Sequence, residues 1–311
     1  MTTPESYDKL MLASASGQTH DVKADDPKDA VFIKTHEITE ILSKSGGAST
    51  VVPTSSAHKY RDRESGNQRY AMIVRRRVEE DLKYVDMRLE INARPIRQYL
   101  QGLLGNYQGV NLSAFPIAIP KPYELLFYHR DRIRNDHKSI TDEPRRTHVG
   151  LLVDFIKQHL GETERQYQQG IHGTPPKISF INLWTLFKPR TVVVSRHDGY
   201  IECSRVMTTE YKKTEHGVKF RIFTWRWDYH DGLFGPSQQK LKILPFDGLQ
   251  EITSLNVCPI DYAEKDPRTQ VRRAALKLRG HRWKKLVISS QQEYEGESQV
   301  SSHSRCAYLP T

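Results

Sequence analysis

Cysteine is scarce in this chain. The three it has, Cys203, Cys258 and Cys306, lie far apart, and no CxxC pair occurs. That spacing supports neither a zinc ribbon nor a disulfide framework, and reduced thiols inside a cell are the default. Long apolar runs are missing too. No stretch approaches the roughly 20 apolar residues that a membrane span needs, and the N-terminal MTTPESYDKLMLASASG lacks the apolar core of a signal peptide. The expectation is a soluble intracellular protein without membrane contact. Arg75-Arg76-Arg77 and Arg282–Lys285 are too short and interrupted to argue nuclear import, so nothing separates cytoplasm from nucleus.

The strings that mark common chemistries are absent as well. A phosphate-binding loop needs GxxxxGK[ST], because backbone N–H groups must wrap the phosphates while Lys neutralises them. Gly102–Gly109 has glycines but no Lys-Ser/Thr at the right place. No GxGxxG follows a strand, and neither HExxH nor GxSxG occurs. The reading is therefore a protein that is not an enzyme, with no catalytic, cofactor-binding or metal residues and no cofactor.

What is present is positive charge and a patterned middle. Lys and Arg number 47 against 37 Asp and Glu, a net charge of +10. Such a surplus favours acidic partners, nucleic acid or acidic protein surfaces, or simply extra arginines on a solvated surface. Hydrophobic content of 37% and mean hydropathy of −0.65 are low for a fully packed chain. Disordered ends follow from that: residues 1–69 read as largely disordered, with a short amphipathic helix near 31–42, and 298–311 as an unstructured tail. Ser43–Gln68 reads as a linker.

Between them, residues 70–297 read as one α+β domain, a rolled antiparallel β-sheet or small β-barrel with several packed helices. Ala71–Val74 and Val85–Ile91 are strands. Asn92 can cap a helix with Pro95 in its first turn, Ile96, Tyr99, Leu100, Leu103 and Leu104 as its stripe, and Gly105 at its end. Val110–Pro120 is extended, Tyr123–Tyr128 is a short helix, and Arg130–Arg146 is a charged surface loop. Thr147 can cap a helix with inner face Leu151, Leu152, Phe155, Ile156 and Leu160, stopped by Gly161.

The organising stretch is Ile178–Arg205. Phe180, Leu183, Trp184 and Phe187 fall at helical spacing, Pro189 ends the helix, and Thr191–Ser195 turns through Asp198-Gly199 into Tyr200–Val206. Val218–Tyr229 is the clearest strand, with Phe223, Trp225, Trp227 and Tyr229 on one face and Phe220 and Ile222 on the other. Asp231-Gly232 and Gly235-Pro236 break it. Lys240–Leu244 and Ile252–Val257 are further strands, Asp266-Pro267 starts a helix closed by Gly280, and Trp283–Ile288 is a last strand. The aromatic ribbons, with Trp184 and Trp225, are expected around a dry interior.

Three clusters invite a chemical reading. Asp228, His230 and Asp231 combine carboxylates and imidazole that can hold a divalent metal for a hydrolase, and turn chemistry explains the same letters. Ser195, His197 and Asp198 hold the residue types of a triad, whose convergent geometry local sequence order rarely provides. Arg272, Arg273, Lys277, Arg279, Arg282, Lys284 and Lys285 can follow a phosphate backbone with exposed aromatics stacking bases. Against that, Trp225, Trp227 and Trp283 read as core residues.

The order of short motifs resembles an uncharacterised fungal domain that usually precedes an AAA+ ATPase module. The residues carrying the likeness are Leu183-Trp184-Thr185-Leu186-Phe187-Lys188-Pro189, Asp228-Tyr229-His230-Asp231-Gly232 with Phe234-Gly235, Leu241-Lys242-Ile243, and Phe246-Asp247-Gly248. Ile252, Leu255, Cys258-Pro259-Ile260 with Tyr262, Leu278-Arg279-Gly280, Leu89–Leu104 and Pro120–Phe127 extend it over about Tyr70–Glu297. Arg190 stands where that family commonly has Gly after Pro. The resemblance implies a non-catalytic accessory domain, stand-alone or truncated, that recognises partners or substrates for an ATPase ring. The ATPase would supply the P-loop. The implied partner is a protein, an AAA+ ATPase or its substrate; a basic nucleic-acid-binding module and the metal-dependent hydrolase are the alternatives.

Overall fold

In a computed structural model, the described residues are 32–42, 50–53, 69–79, 84–197, 200–215, 217–230 and 233–288. The chain divides into two compact units, Met1–His159 and Leu160–Thr311. The α+β class holds in both.

The first unit is built on a five-stranded sheet of order β2-β1-β3-β4-β5, from β1 (Phe32–Leu42), β2 (Thr50–Pro53), β3 (Tyr70–Glu79), β4 (Tyr84–Ile91) and β5 (Ile117–Pro120). The helix expected near 31–42 is strand β1. Its β-branched Ile33, Thr35, Ile38, Thr39 and Ile41 suit a pleat, and parallel pairing along β3 prevails over helical spacing. Strand β2 likewise falls inside the expected linker. Asn92 does not cap α1 (Arg94–Leu104). Ala93 holds that position, and the Asn92 amide donates to the Tyr70 carbonyl at 3.0 Å.

Helix α2 (Glu124–Ser139) continues through residues expected as a charged loop. Ile133 is fully buried, and Arg130 is buried with its guanidinium donating to the Phe127 carbonyl at 2.7 Å. The loop reading failed because charges occupy the outer positions of an amphipathic helix. Helix α3 (Glu143–Ile171) passes Thr147 and Gly161 without capping or stopping there. An interior Gly costs about 1 kcal/mol against Ala, which apolar burial of Val149, Leu152, Phe155, Ile156 and Leu160 outweighs.

In the second unit, β6 (Lys177–Ser179) leads into a 3-10 helix, Phe180–Thr185. The main sheet has order β10-β9-β8-β7-β12. Its strands are β7 (Val192–His197), β8 (Tyr200–Thr214), β9 (Gly217–His230), β10 (Leu233–Ile243) and β12 (Val257–Pro259), and β11 (Leu249–Glu251) pairs with β6. Pairing within the main sheet is antiparallel throughout. Gly235-Pro236 does not break β9; it sits in edge strand β10, where Pro removes no ladder bond that an inner strand would need.

The sheet rolls without closing. The Asn256 amide donates to the Lys242 carbonyl of β10 at 2.9 Å, while the Asn256 carbonyl accepts from Arg196 N–H of β7 at 3.2 Å. No ladder joins β10 to β12 among the described residues, so the barrel alternative is replaced by an open sheet.

Ile252–Ser254 is a 3-10 turn rather than a strand. Asp266 caps the 3-10 turn Pro267–Thr269, accepting from Arg268 N–H at 3.0 Å. After α4 (Ile260–Lys265), helix α5 (Arg273–Ile288) runs through Gly280 and replaces the strand expected at Trp283–Ile288. Among the described residues no strand pairs with that segment, and Leu, Lys and Arg favour helix when unpaired.

A candidate binding face

Antiparallel pleating sends alternate residues of β8–β10 to opposite sides. One side makes the core: Val193, Val206, Phe220, Ile222, Thr224, Ile243 and Val257 are all buried. Phe220 meets Phe187 at 5.7 Å and Tyr211 at 4.8 Å between ring centroids. Leu183 and Trp184 lie in the same interior. The Tyr211 hydroxyl donates to the Phe180 carbonyl at 2.8 Å and fastens the sheet to the 3-10 helix.

The other side carries the aromatic row Phe223, Trp225, Trp227 and Tyr229. The row was expected inside; it faces outward, and Trp227 is 42% exposed. The neighbouring strands decide this. Register pairs Phe223 with Lys240 and Trp225 with Gln238 on β10, while Leu241 and Ile243 share the side of Ile222 and Phe220. Alternation in the β10 sequence Lys-Leu-Lys-Ile therefore signals which side of β9 meets water, a cue that reading β9 alone misses. Trp184, by contrast, is in the core as expected, at 3% exposure.

Cations flank this row. Arg205 of β8 stands over the Trp225 ring at 5.5 Å, and Lys240 over Phe223 at 5.4 Å. The same pleat sides hold Lys212, Lys219, Arg221 and Lys242. Glu210 is the one carboxylate on this side of the described parts of β8–β10, and Arg221 pairs with it at 3.2 Å. Trp225 and Trp227 meet edge to face at 6.2 Å.

Helix α5 meets one end of the sheet. Its Arg279 donates to the Ile201 carbonyl of β8, and Trp283 packs edge-on against Phe234 of β10 at 5.4 Å. Trp283 is thus a half-exposed clasp and not core. Of the basic cluster, Arg273 is committed to Asp261 at 2.6 Å and Glu264 at 3.3 Å. Lys277, Arg282, Lys284 and Lys285 are exposed.

The other two clusters lie only partly within the described residues. Asp228 lies on the opposite pleat side from Trp227. Its carboxylate accepts from Tyr229 N–H at 2.9 Å and pairs with Arg226 at 3.6 Å, and Arg226 also holds Glu202 at 2.7 Å. The His230 side chain and Asp231 lie outside the described residues. Among the described residues, no group of His, Cys, Asp or Glu is placed to hold a metal ion. Ser195 is buried beneath the sheet, while the His197 side chain and Asp198 are outside the described residues.

The two described cysteines are not activated. Burial raises the Cys203 thiol against the opposing pull of Arg279 and Arg273, and burial pushes Cys258 up to about 11. Such thiols stay protonated and inert. Cys306 lies outside the described residues.

Pro189 and Arg190 form the turn entering β7. Thr191 N–H donates to the Lys188 carbonyl at 3.0 Å, and Arg190 has φ of +74°. Pro at the second position and positive φ at the third is a type II arrangement, which favours Gly at the third. Arg190 thus holds the backbone of the glycine expected there.

Residues 171–264 match the sequence model of a family described as a domain of unknown function (DUF7025). The match spans β6 to α4, a narrower region than the resemblance expected over Tyr70–Glu297. No curated protein and no solved structure matches this chain. No helix among the described residues is long and apolar enough to cross a membrane.

Proposed function

We propose that the chain is a non-catalytic binding module, and that it engages an anionic partner through the outward side of β8–β10. One observation carries this reading: an aromatic row lies between cations on a pleat side whose only described carboxylate is already paired. Buried aromatics need no such flanks, and while one exposed ring is ordinary, a row of aromatics along one outward pleat side between cations marks an interaction surface.

The test uses the full chain on a heparin column, a polyanion of no particular sequence. Elution should need substantially more salt for the native chain than for a Lys240→Glu/Lys242→Glu variant whose circular dichroism is unchanged. Failure to bind at low salt, or equal elution of the two, would overturn the reading.

The accessory role beside an AAA+ ATPase, and the fungal setting, belong to the same proposal and rest on the ordered run of motifs from Leu183 to Tyr262. In that setting the module would hand partners to an ATPase ring while supplying no nucleotide chemistry itself. Co-purification of tagged full chain with an AAA+ ATPase is the expected outcome; a folded sample that recovers none would count against it.

A further inference from the structure

Resting on that reading, we infer that the anionic partner is single-stranded nucleic acid, laid along β9 with bases against Trp225 and Trp227 and phosphates against Arg205, Lys240 and Lys242.

The argument begins with spacing. Alternate residues of a strand stand about 6.8 Å apart, and the Trp225 and Trp227 rings are 6.2 Å apart. A row of flat apolar groups at that interval suits a polymer that presents one planar base per repeat between charges. An acidic peptide would use the cations but leave the aromatic row without a role, since carboxylates do not stack. A duplex would use the cations too, but its bases are already stacked on one another and hidden from side-chain rings.

Charge then orders this face. Arg205 flanks the row from β8, and Lys240 and Lys242 flank it from β10, so cations border the aromatics on two sides. This is the combination that binds single strands without sequence preference, a positive track with aromatic platforms. The exposed cations of α5 at one end of the sheet extend the positive field without needing contact.

The test titrates full chain with a fluorescein-labelled oligothymidylate of about 12 nucleotides, within the range of known single-strand sites. Anisotropy is followed as a function of salt. Engagement of three or four phosphates predicts a slope of log K against log salt of about −2 to −3. Trp227→Ala should weaken binding roughly 5- to 100-fold, the loss of one base platform, and Trp227→Phe should restore most of it. Lys240→Ala/Lys242→Ala should flatten the salt slope by about 1 to 1.5.

The inference is overturned by no binding at low salt, by equal affinity for a duplex of the same length, or by Trp227→Ala binding like the native chain. If the chain is retained on heparin through Lys240 and Lys242 yet ignores the oligonucleotide, the inference fails and the anion-binding reading stands. If an oligoglutamate peptide competes as well as unlabelled oligothymidylate, an acidic protein is the partner and the inference also fails.

Discussion

Phe220 and Phe223 sit three residues apart on one strand, on opposite sides of the sheet, and offer a matched pair of perturbations. Phe220 is fully buried between Phe187 and Tyr211. Removing its ring leaves a cavity walled by aromatic side chains, so Phe220→Ala should cost about 3–5 kcal/mol. Phe223 is half-buried on the outward side under Lys240. Phe223→Ala there loses cross-strand packing and one cation contact, each worth about 0.5–1 kcal/mol, and opens no cavity. Its cost should be about 1–2 kcal/mol. The assay is urea unfolding followed by tryptophan emission. Trp184, Trp225, Trp227 and Trp283 are all in the second unit, so this signal reports that unit alone. With a slope of about 1–3 kcal/mol/M, Phe220→Ala should lower the midpoint by more than about 1 M. Equal costs, or a larger loss at Phe223, would refute the assignment of faces.

Other expectations follow from single positions. Arg190→Gly should stabilise the second unit by about 0.5–1 kcal/mol, because relief of a left-handed backbone exceeds the entropy that glycine adds to the unfolded chain; an unchanged urea midpoint would contradict it. Glu90→Ala should destabilise the first unit by roughly 3 kcal/mol. Buried Glu90 accepts from Arg75 at 2.8 and 2.9 Å and from Arg88 at 2.8 Å, and the change strips both guanidinia of that acceptor. Thermal melting by far-ultraviolet dichroism checks it. His159 stacks on Phe155 at 4.3 Å, and burial lowers its pKa despite Glu37 at 3.9 Å. A folded pKa below the unfolded value means that the unfolded chain takes up the proton first. Stability is therefore full above about pH 6.5 and falls as the pH drops towards the depressed folded value. His159→Phe should flatten that part of the melting-temperature profile, and an unaltered profile would remove His159 from the explanation.

The α+β class, the hairpin of β7 and β8, strand β9 and helix α1 are legible in local pattern. Each is a segment whose period and end signals agree, as in the stripe Ile96, Tyr99 and Leu100 closing at Gly105. Two of the misread segments share one cause: partners distant in sequence settled them. Strand β1 is a strand because β3 lies beside it, and Trp283–Ile288 is helical, with no strand among the described residues pairing with it. Glycine misled at Gly161 and Gly280, where helices run on. At the candidate face, the alternation of Phe223, Trp225 and Trp227 was plain, but its direction was not. Direction depends on register with Lys240 and Lys242, which no single strand encodes.

The most direct measurement follows the four indole N–H resonances of ¹⁵N-labelled full chain as unlabelled oligothymidylate is added. The account predicts shifts or broadening at Trp225 and Trp227, with Trp184, 3% exposed in the core, left where it was. Binding that leaves Trp225 and Trp227 unmoved, or that moves Trp184 alone, would contradict it.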